Sequence, residues 1–179
     1  MSVTSVLRGF GVSIATLSAV GAALAVPTAA SAAPGLTVIQ PSARPAQAMF
    51  AQGAFAVVAL QPATQNSGLK EWGVNPVFDP TRAAQGYVFI NNSVAQGGRS
   101  MALDVSGDST LPGAAILTRP FDGTASQEWR LSKESSGDVI LINRNSGLRL
   151  TVTVGSANGV DFRQQAPGGE QRFRFIASS

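Results

Sequence analysis

The sequence predicts an all-β domain built from a repeated unit. Beyond residue 32, short apolar or alternating runs recur between clusters of glycine, proline, asparagine, aspartate and serine. This pattern is typical of a sandwich or barrel, and no long amphipathic helix interrupts it. Two stretches also echo each other, Gln-Glu-Trp-Arg-Leu at 127–131 and Gln-Arg-Phe-Arg-Phe at 171–175. Such self-similarity indicates one supersecondary unit that is used several times.

The strands follow from the spacing of the apolar runs. Turn-forming pairs such as Asp122-Gly123 and Asn158-Gly159 separate them. The clearest predicted strands are 87–91, 100–105, 114–118, 128–131, 139–143, 149–154, 160–164 and 172–176.

The repeat divides the chain into two clear units and one degenerate unit. Ile90-Asn91 and Ile142-Asn143 each open a clear unit, and a Gln-x-aromatic step closes it. Counting back from Trp72 gives a third copy, with an opening strand at 36–40 and a later strand at 56–61. An Ala/Gln/Pro-rich linker is the alternative interpretation of this first stretch.

The N-terminal segment 1–32 has the features of an export signal. Arg8 precedes an apolar run over 10–26, and Ala30-Ser31-Ala32 forms an A-x-A cleavage site. An uncleaved membrane anchor is the alternative. We expect cleavage after Ala32, a short segment 33–35, and a secreted, extracellular domain over 36–179 of bacterial type, without stable membrane association once it is cleaved.

Composition narrows the function. The chain has no histidine and no cysteine, so it has no Ser-His-Asp triad, thiol nucleophile, disulfide or ordinary zinc site. Its charge of +3 is small and scattered, which does not favour binding to nucleic acid. A carboxylate pair could still hydrolyse glycosides, but the ten acidic residues are dispersed. We therefore expect a protein that is not an enzyme and uses no cofactor or metal.

The order of the motifs carries a resemblance to a known family. Ile-Asn, Ala-Leu-Asp-Val at 102–105, Gly-Ala-x-Ile at 113–116 and Gln127-x-Trp129 occur in the order seen in ricin-B-type β-trefoil lectins and carbohydrate-binding modules. The resemblance implies a six-stranded barrel capped by three hairpins, with units of about 36–86, 87–137 and 138–179. It places Trp72, Trp129 and Phe173 in the core between the units.

The resemblance also implies a sugar site in the middle unit. Asp104 matches the family's hydroxyl-binding aspartate, and Gln127 matches the glutamine of Q-x-W. Ser126 stands in place of an asparagine, and Arg119 in place of the ring that stacks on the pyranose. Phe121, two residues later, is the candidate substitute for that ring. Turn capping is an equally good interpretation of Asp104, since Val-Ser-Gly-Asp follows it.

The other units keep less of this set. In the last unit Thr151, Glu170 and Arg163 replace the aspartate, the asparagine and the ring, and only Gln171 remains. The first unit has neither an acid nor a ring at the corresponding places. The sequence therefore predicts at most one weak site for a glycan or polysaccharide.

Two other functions stay open at this stage. The Pro-bounded loop 75–86, with Arg82 in an exposed-looking position, suggests a scaffold that binds a secreted protein, for example as a protease inhibitor. A glycosidase would need two carboxylates about 5–10 Å apart.

Overall fold

The computed structural model describes residues 35–65, 67–96, 99–156 and 159–178. The predicted signal segment 1–32, and residues 33 and 34 of the segment that follows, lie outside these ranges. Within them, no helix is long and apolar enough to cross a membrane. The strands and the one short α-helix are β1 (Thr37–Pro41), β2 (Gln47–Phe50), β3 (Ala59–Pro62), β4 (Glu71–Pro76), α1 (Pro80–Ala84), β5 (Tyr87–Gln96), β6 (Arg99–Val105), β7 (Ile116–Pro120), β8 (Glu128–Lys133), β9 (Val139–Asn143), β10 (Arg149–Ser156), β11 (Gly159–Gln165) and β12 (Phe173–Ala177).

Six of the described strands close into a barrel. Going round it, β1 pairs with β4, β4 with β5, β5 with β8, β8 with β9, β9 with β12, and β12 with β1 again, all antiparallel. The remaining strands form three hairpins, β2–β3, β6–β7 and β10–β11. The predicted β-trefoil is confirmed. The closed ring leaves no barrel strand with an unpaired edge, which suits a domain without disulfides.

The core repeats in layers of three. Each layer takes one fully buried side chain from each unit, which explains why the sequence echoes. The layers are Ile39/Ile90/Leu141, Met49/Leu103/Leu150, Val58/Ile116/Phe162 and Trp72/Trp129/Phe173.

The closing aromatics also tie the hairpins to the barrel. The Trp72 indole N–H donates to the carbonyl of Met49 at 2.9 Å, and the Trp129 indole donates to the carbonyl of Leu103 at 3.0 Å. Both bonds are buried, so each indole satisfies its one polar atom while filling the core. Phe173 occupies the same layer without a donor.

β2 is a strand that the sequence pattern did not predict. A half-buried strand alternates, but Ala48, Met49 and Phe50 are buried in succession. Met49 faces the barrel core, whereas Ala48 and Phe50 pack with Val38 in a second small cluster. Both faces of β2 are therefore covered, and the period-2 signal is lost.

The register of the repeat differs by one residue from the predicted echo. Asn92 pairs with Trp72 and Asn143 pairs with Trp129, so Asn92 is the counterpart of Asn143. The predicted match of Asn91 with Asn143 was wrong. The equivalent asparagines donate to equivalent carbonyls, including Glu71 for the first and Glu128 for the second.

The predicted loop 75–86 is an ordered insert. β4 continues to Pro76, and α1 follows because Asp79 caps it and Pro80 begins it. Arg82 is not free as its loop position suggested. Its Nε lies 3.0 Å from Oε2 of Glu128, and its Nη1 lies 3.0 Å from Oδ2 of Asp79.

Candidate functional site

Asp104 lies near the end of β6 with 1 % of its surface exposed. Leu103 and Val105 point into the core, so strand alternation places Asp104 on the opposite face. This face meets the turn over 125–127 that leads into β8, which we call the Q-x-W corner. There Nε2 of Gln127 donates to Asp104 Oδ2 at 3.0 Å. Nε of Arg119 lies 3.8 Å from the same oxygen. The structure thus brings together four of the five predicted sugar-binding residues, since Ser126 also lies beside the Asp104 carboxylate.

The second oxygen of Asp104 is less well satisfied. Oδ1 is enclosed and, among the described residues, has no hydrogen-bond partner. Burial raises the pKa of Asp104 above its usual range, and the bond from Gln127, the nearby hydroxyl of Ser126 and the charge of Arg119 only partly oppose this. An enclosed carboxylate with one unused oxygen is costly to the fold. Turn capping does not explain it, since no bond from Asp104 to a backbone N–H is present in the described residues.

Gln127 is fully buried, and its amide is fully used. Besides its bond to Asp104, Nε2 donates to the carbonyl of Pro120 at 3.1 Å. Oε1 accepts from the backbone N–H groups of Asp122 and Gly123 at 2.9 and 3.3 Å. An amide offers two donors and an acceptor with two lone pairs. The glutamine therefore clamps the 120–123 turn to β6 and has no capacity left for a ligand.

The same clamp recurs in the third unit. Nε2 of Gln171 donates to Oγ1 of Thr151 and to the carbonyl of Ala166, while its Oε1 accepts from Gly168 N–H. In the first unit Lys70 takes the place of the glutamine, and its Nζ donates to the carbonyl of Ala63 at 2.9 Å.

Ser126 is also turned inward. It is 1 % exposed, and its hydroxyl donates to Oδ1 of Asp108 at 2.6 Å. Its carbonyl accepts from the side chain of Asn143 at 2.8 Å. These bonds join the Q-x-W corner to the β6–β7 hairpin and to the next unit. Ser126 therefore contributes to the corner and does not form an open polar rim.

Phe121 does not supply the missing ring above Asp104. Its ring stacks on Phe89, with centroids 4.3 Å apart and planes 28° apart, and lies 5.9 Å from the ring of Phe78. Arg119, whose side chain is 35 % exposed, is the group beside the carboxylate that reaches solvent. The middle unit therefore has an acid and a flat guanidinium, with the aromatic ring directed to another surface.

A comparison with known families decides the affiliation of this chain. The family described as ricin-type beta-trefoil lectin domain-like matches residues 70–165, more than half of the chain. The chain belongs to this family.

Solved trefoils superpose on the lectin-like domain. ThreeFoil, a designed threefold-symmetric protein, matches with a TM-score of 0.67 and 22 % identity over 80 % of this chain and 99 % of its own. The Polyporus squamosus lectin, solved with the epitope Neu5Acα2-6Galβ1-4GlcNAc, matches with a TM-score of 0.67 and 14 % identity, over 82 % and 50 %. An exo-β-1,3-galactanase from Clostridium thermocellum matches with a TM-score of 0.64 and 15 % identity, over 83 % and 31 %.

The trefoil spans half or less of the lectin and galactanase chains that it matches. At these identities, the similarity to the solved structures concerns the fold alone. No curated protein matches the sequence.

The other two units of this lectin-like trefoil lack the acid of the middle unit. Phe50 and Thr151 hold the place of Asp104, each following the core residue of its hairpin. Gln165, which pairs with Arg149, is the counterpart of Arg119 in the third unit. Counting ten residues back from Phe173 pointed to Arg163, and this was wrong because Gln165 lies eight residues before Phe173, whereas Arg119 lies ten residues before Trp129.

A surface depression of about 310 Å³ lies beside the third Q-x-W corner. It is lined by Ser42, Ala43, Gly169, Glu170, Gln171 and Arg172. Glu170 is tied to Arg44, whose Nε is 2.9 Å from its Oε2. Thr151 is 4 % exposed, and its hydroxyl donates to the carbonyl of Arg149. The acid of this depression is therefore Glu170, whose Oε1 is enclosed without a hydrogen-bond partner in the described residues, and no acid stands at the place of Asp104.

Sequence reasoning missed an aromatic cluster formed by Phe78, Phe89 and Phe121. Phe78 lies in the insert and is 82 % exposed. Its ring centroid is 5.7 Å from that of Phe89 and 5.9 Å from that of Phe121. The signal in the sequence was a phenylalanine in a polar, Pro-bounded segment, where no core position explains it.

Proposed function

We propose that this protein is a secreted, non-catalytic carbohydrate-binding domain whose sugar site of the family type is a single weak one in the middle unit. The observation that carries the proposal is the Asp104 carboxylate. It occupies the family's ligand position, and its Oδ1 lacks a partner among the described residues. A sugar hydroxyl that donates to this oxygen would satisfy it, provided that the covering side chains open slightly.

The surroundings of Asp104 explain why the site is expected to be weak. The side-chain amide of Gln127 is used in hydrogen bonds with the 120–123 turn. The hydroxyl of Ser126 donates to Asp108. Neither group is free to bind a sugar. Arg119 is the polar side chain that remains at the surface beside the acid. Its guanidinium can lie flat against a pyranose, but no ring buries the apolar sugar face here. We expect dissociation constants in the millimolar range, roughly −4 kcal/mol.

The arrangement of the acids supports a non-catalytic role. All ten lie within the described residues, and each carboxyl group has at least one protein partner. Those paired with arginine are Asp79, Asp104, Glu128, Glu134, Asp138, Asp161 and Glu170. Those bonded to hydroxyl or amide groups are Glu71, Asp108 and Asp122. Nor do three or more acids in the described ranges gather to hold a metal ion. Neither a free pair for glycoside hydrolysis nor a metal-assisted route is favoured.

Export and protein binding rest on different grounds. The signal-like segment 1–32 supports secretion.

The protease-inhibitor alternative loses its main support, because Arg82 is committed to Asp79 and Glu128 and is not presented to a partner. Unchanged kinetics of secreted serine and cysteine proteases at micromolar protein are the expected result.

Isothermal titration calorimetry tests the proposal. The first probes are β-1,3-galactan fragments and Neu5Acα2-6Galβ1-4GlcNAc, the glycans named for two of the similar structures. A panel of soluble xylan, glucan and chitin oligosaccharides follows. We expect weak heat for at least one probe and its loss in Asp104→Ala, while Asp138→Ala, which removes an acid outside the site, leaves it unchanged. Absence of binding to the whole panel at about 10 mM sugar, or equal binding by the Asp104 variant, contradicts it.

A further inference from the structure

The insert between β4 and β5 presents an aromatic ring to solvent. Phe78 is the most exposed large apolar side chain in the described residues, at 82 %. It packs against Phe89 on β5 and Phe121 after β7, which are themselves stacked. Isolated exposed apolar residues need no explanation, but a packed group of three rings on a surface does.

The insert is held firmly in place. Asp79 Oδ1 accepts from the N–H of Arg82 and caps α1. The Arg82 guanidinium makes two contacts with the carboxylate of Glu128, at 3.0 and 3.2 Å, and Glu128 is buried. Because Glu128 pairs across strands with Phe89, the anchor lies beside the rings that it supports. The insert that carries Phe78 is therefore anchored to the barrel by these contacts.

A row of uncharged polar side chains continues from the rings across the barrel wall. Asn75 sits directly opposite Phe89 on the neighbouring strand. Its Nδ2 donates to Oδ1 of Asn91 at 2.6 Å, and Nδ2 of Asn91 donates to Oγ of Ser100 at 2.7 Å. The carbonyl of Ser100 in turn accepts from the N–H of Phe121. Rings and amides thus form one continuous patch.

Gly73 keeps this patch shallow and open. It lies opposite Asn91, and a Cβ added there would stand 2.8 Å from Asn91 Oδ1 and 3.1 Å from Asn75 Nδ2. Any other residue would displace the two amides. The absence of a side chain lets the amide row lie flat against the sheet.

The row has hydrogen-bonding capacity left for a ligand. In the described residues, Oδ1 of Asn75 accepts no hydrogen bond, and the Ser100 hydroxyl accepts one without donating. Both side chains are partly exposed. Free amide and hydroxyl groups beside flat rings satisfy two requirements of a sugar, since hydroxyls need donors and acceptors and the apolar pyranose face needs an aromatic surface.

We propose that this surface, the aromatic–amide face formed by Phe78, Phe89, Phe121, Asn75, Asn91 and Ser100, is a second glycan-binding site that works independently of Asp104. Its ligand is an uncharged hexopyranose chain, one residue of which lies on the rings while its hydroxyls bond to Asn75 and Ser100. The charged groups that anchor the insert are two arginines, Arg82 and Arg144, and two acids, Asp79 and Glu128, whose charges balance within one ion-pair network. A charged protein epitope is therefore matched less well than a neutral sugar.

Affinity electrophoresis of the full chain in gels that contain soluble polysaccharide tests this site. The probes are β-1,3-galactan, xylan, mixed-linkage β-glucan and soluble chitin derivatives. We expect retardation by at least one probe, weakened about tenfold in Phe78→Ala because a ring contact with the sugar is lost. Asn75→Ala should weaken it as well. Phe55→Ala, which removes a 64 % exposed phenylalanine on another loop, is the matched control and should migrate like wild type.

The outcomes separate this site from the one at Asp104. If Asp104→Ala is still retarded by the polysaccharide and Phe78→Ala is not, the result supports the second site, whether or not the site at Asp104 also binds. Loss in Asp104→Ala with wild-type behaviour of Phe78→Ala and Asn75→Ala overturns the second site alone, and no retardation by any probe overturns both. Sedimentation that changes from dimer to monomer in Phe78→Ala identifies the face as a contact between copies of the chain and also overturns the proposal.

Discussion

Gln127 donates from Nε2 to Oδ2 of Asp104 at 3.0 Å, and this buried bond joins the Q-x-W corner to the end of β6. Asp104, the candidate sugar-binding acid, and Gln127, the glutamine of Q-x-W, therefore form one structural unit. The third unit keeps the glutamine and puts Thr151 in place of the acid. The bond from the glutamine therefore needs only an oxygen acceptor on the hairpin, which a threonine hydroxyl supplies as well as a carboxylate does. The fold does not require the negative charge of Asp104.

The clamp predicts a large effect on stability. Gln127→Ala would leave Asp104 and two backbone N–H groups without their partner in a buried place, so we expect a loss of about 2–4 kcal/mol in the free energy of unfolding. Urea denaturation measures it. Gln171→Ala, the same change in the third unit, should cost a similar amount. A loss below about 0.5 kcal/mol in both variants would contradict the clamp.

The closing aromatics predict graded costs. Trp129→Ala opens a cavity in a fully buried layer and should cost about 3–5 kcal/mol. Trp129→Phe should cost less, because Phe173 already fills the same place in the third unit and only volume and one hydrogen bond are lost. Thermal and urea unfolding measure both, with Phe78→Ala as a surface control near wild type. Equal losses for the two Trp129 variants would be inconsistent with the layer.

Asp104 predicts an unusual dependence of stability on pH. Its pKa is raised in the folded state by burial, so the folded protein binds a proton more tightly than the unfolded chain does. The destabilisation from ionised Asp104 is therefore present above the folded pKa and disappears as pH falls toward and below the unfolded value near 3.8.

Asp104→Asn isolates this contribution. We expect the variant to be at least as stable as wild type at pH 7, and its advantage to shrink between pH 7 and pH 3. The comparison between the two proteins removes the opposite effect of Asp79 and Asp138, whose pKa values are lowered chiefly by hydrogen bonds from Arg82 N–H and Ser42. An advantage that grows on acidification would show that the Asp104 pKa is lowered.

The anchor of the insert predicts local unfolding. Arg82→Ala removes one of two arginines from Glu128, whose side chain is 3 % exposed, so we expect a loss of about 1–3 kcal/mol. Amide hydrogen exchange should also become faster over 80–86, because α1 loses its link to the barrel. Arg130→Ala, on the same strand as Glu128, is the control. Unchanged exchange in the insert would mean that other contacts hold it.

The fold was predictable where each unit has one exposed face. Alternation and turn residues located β9 at its observed ends, and the echo of Trp129 in Phe173 located the barrel layer. β2 was missed because both of its faces are covered, which removes the alternation. The one-residue register error between Asn91 and Asn92 arose because both are asparagine and only pairing distinguishes them.

The site was less predictable, because burial and partners decide its chemistry. The motif assigned Asp104, Arg119 and Gln127 to one candidate site, and these side chains are neighbours in the structure. It could not show that the Gln127 amide is used up by the turn, or that Phe121 stacks on Phe89. These facts depend on the path of the 120–123 turn and on the insert, and neither leaves a periodic signal.

Chemical-shift mapping tests the central claim most directly, namely that this trefoil binds sugar through Asp104. Uniformly ¹⁵N-labelled protein is titrated with the probe that gives the strongest calorimetric signal, or with β-1,3-galacto-oligosaccharide if none is resolved. The account predicts saturable shifts of the backbone amides of Asp104, Arg119 and the 120–123 turn, and their loss in Asp104→Ala. Unshifted amides throughout this corner at saturating sugar would contradict it.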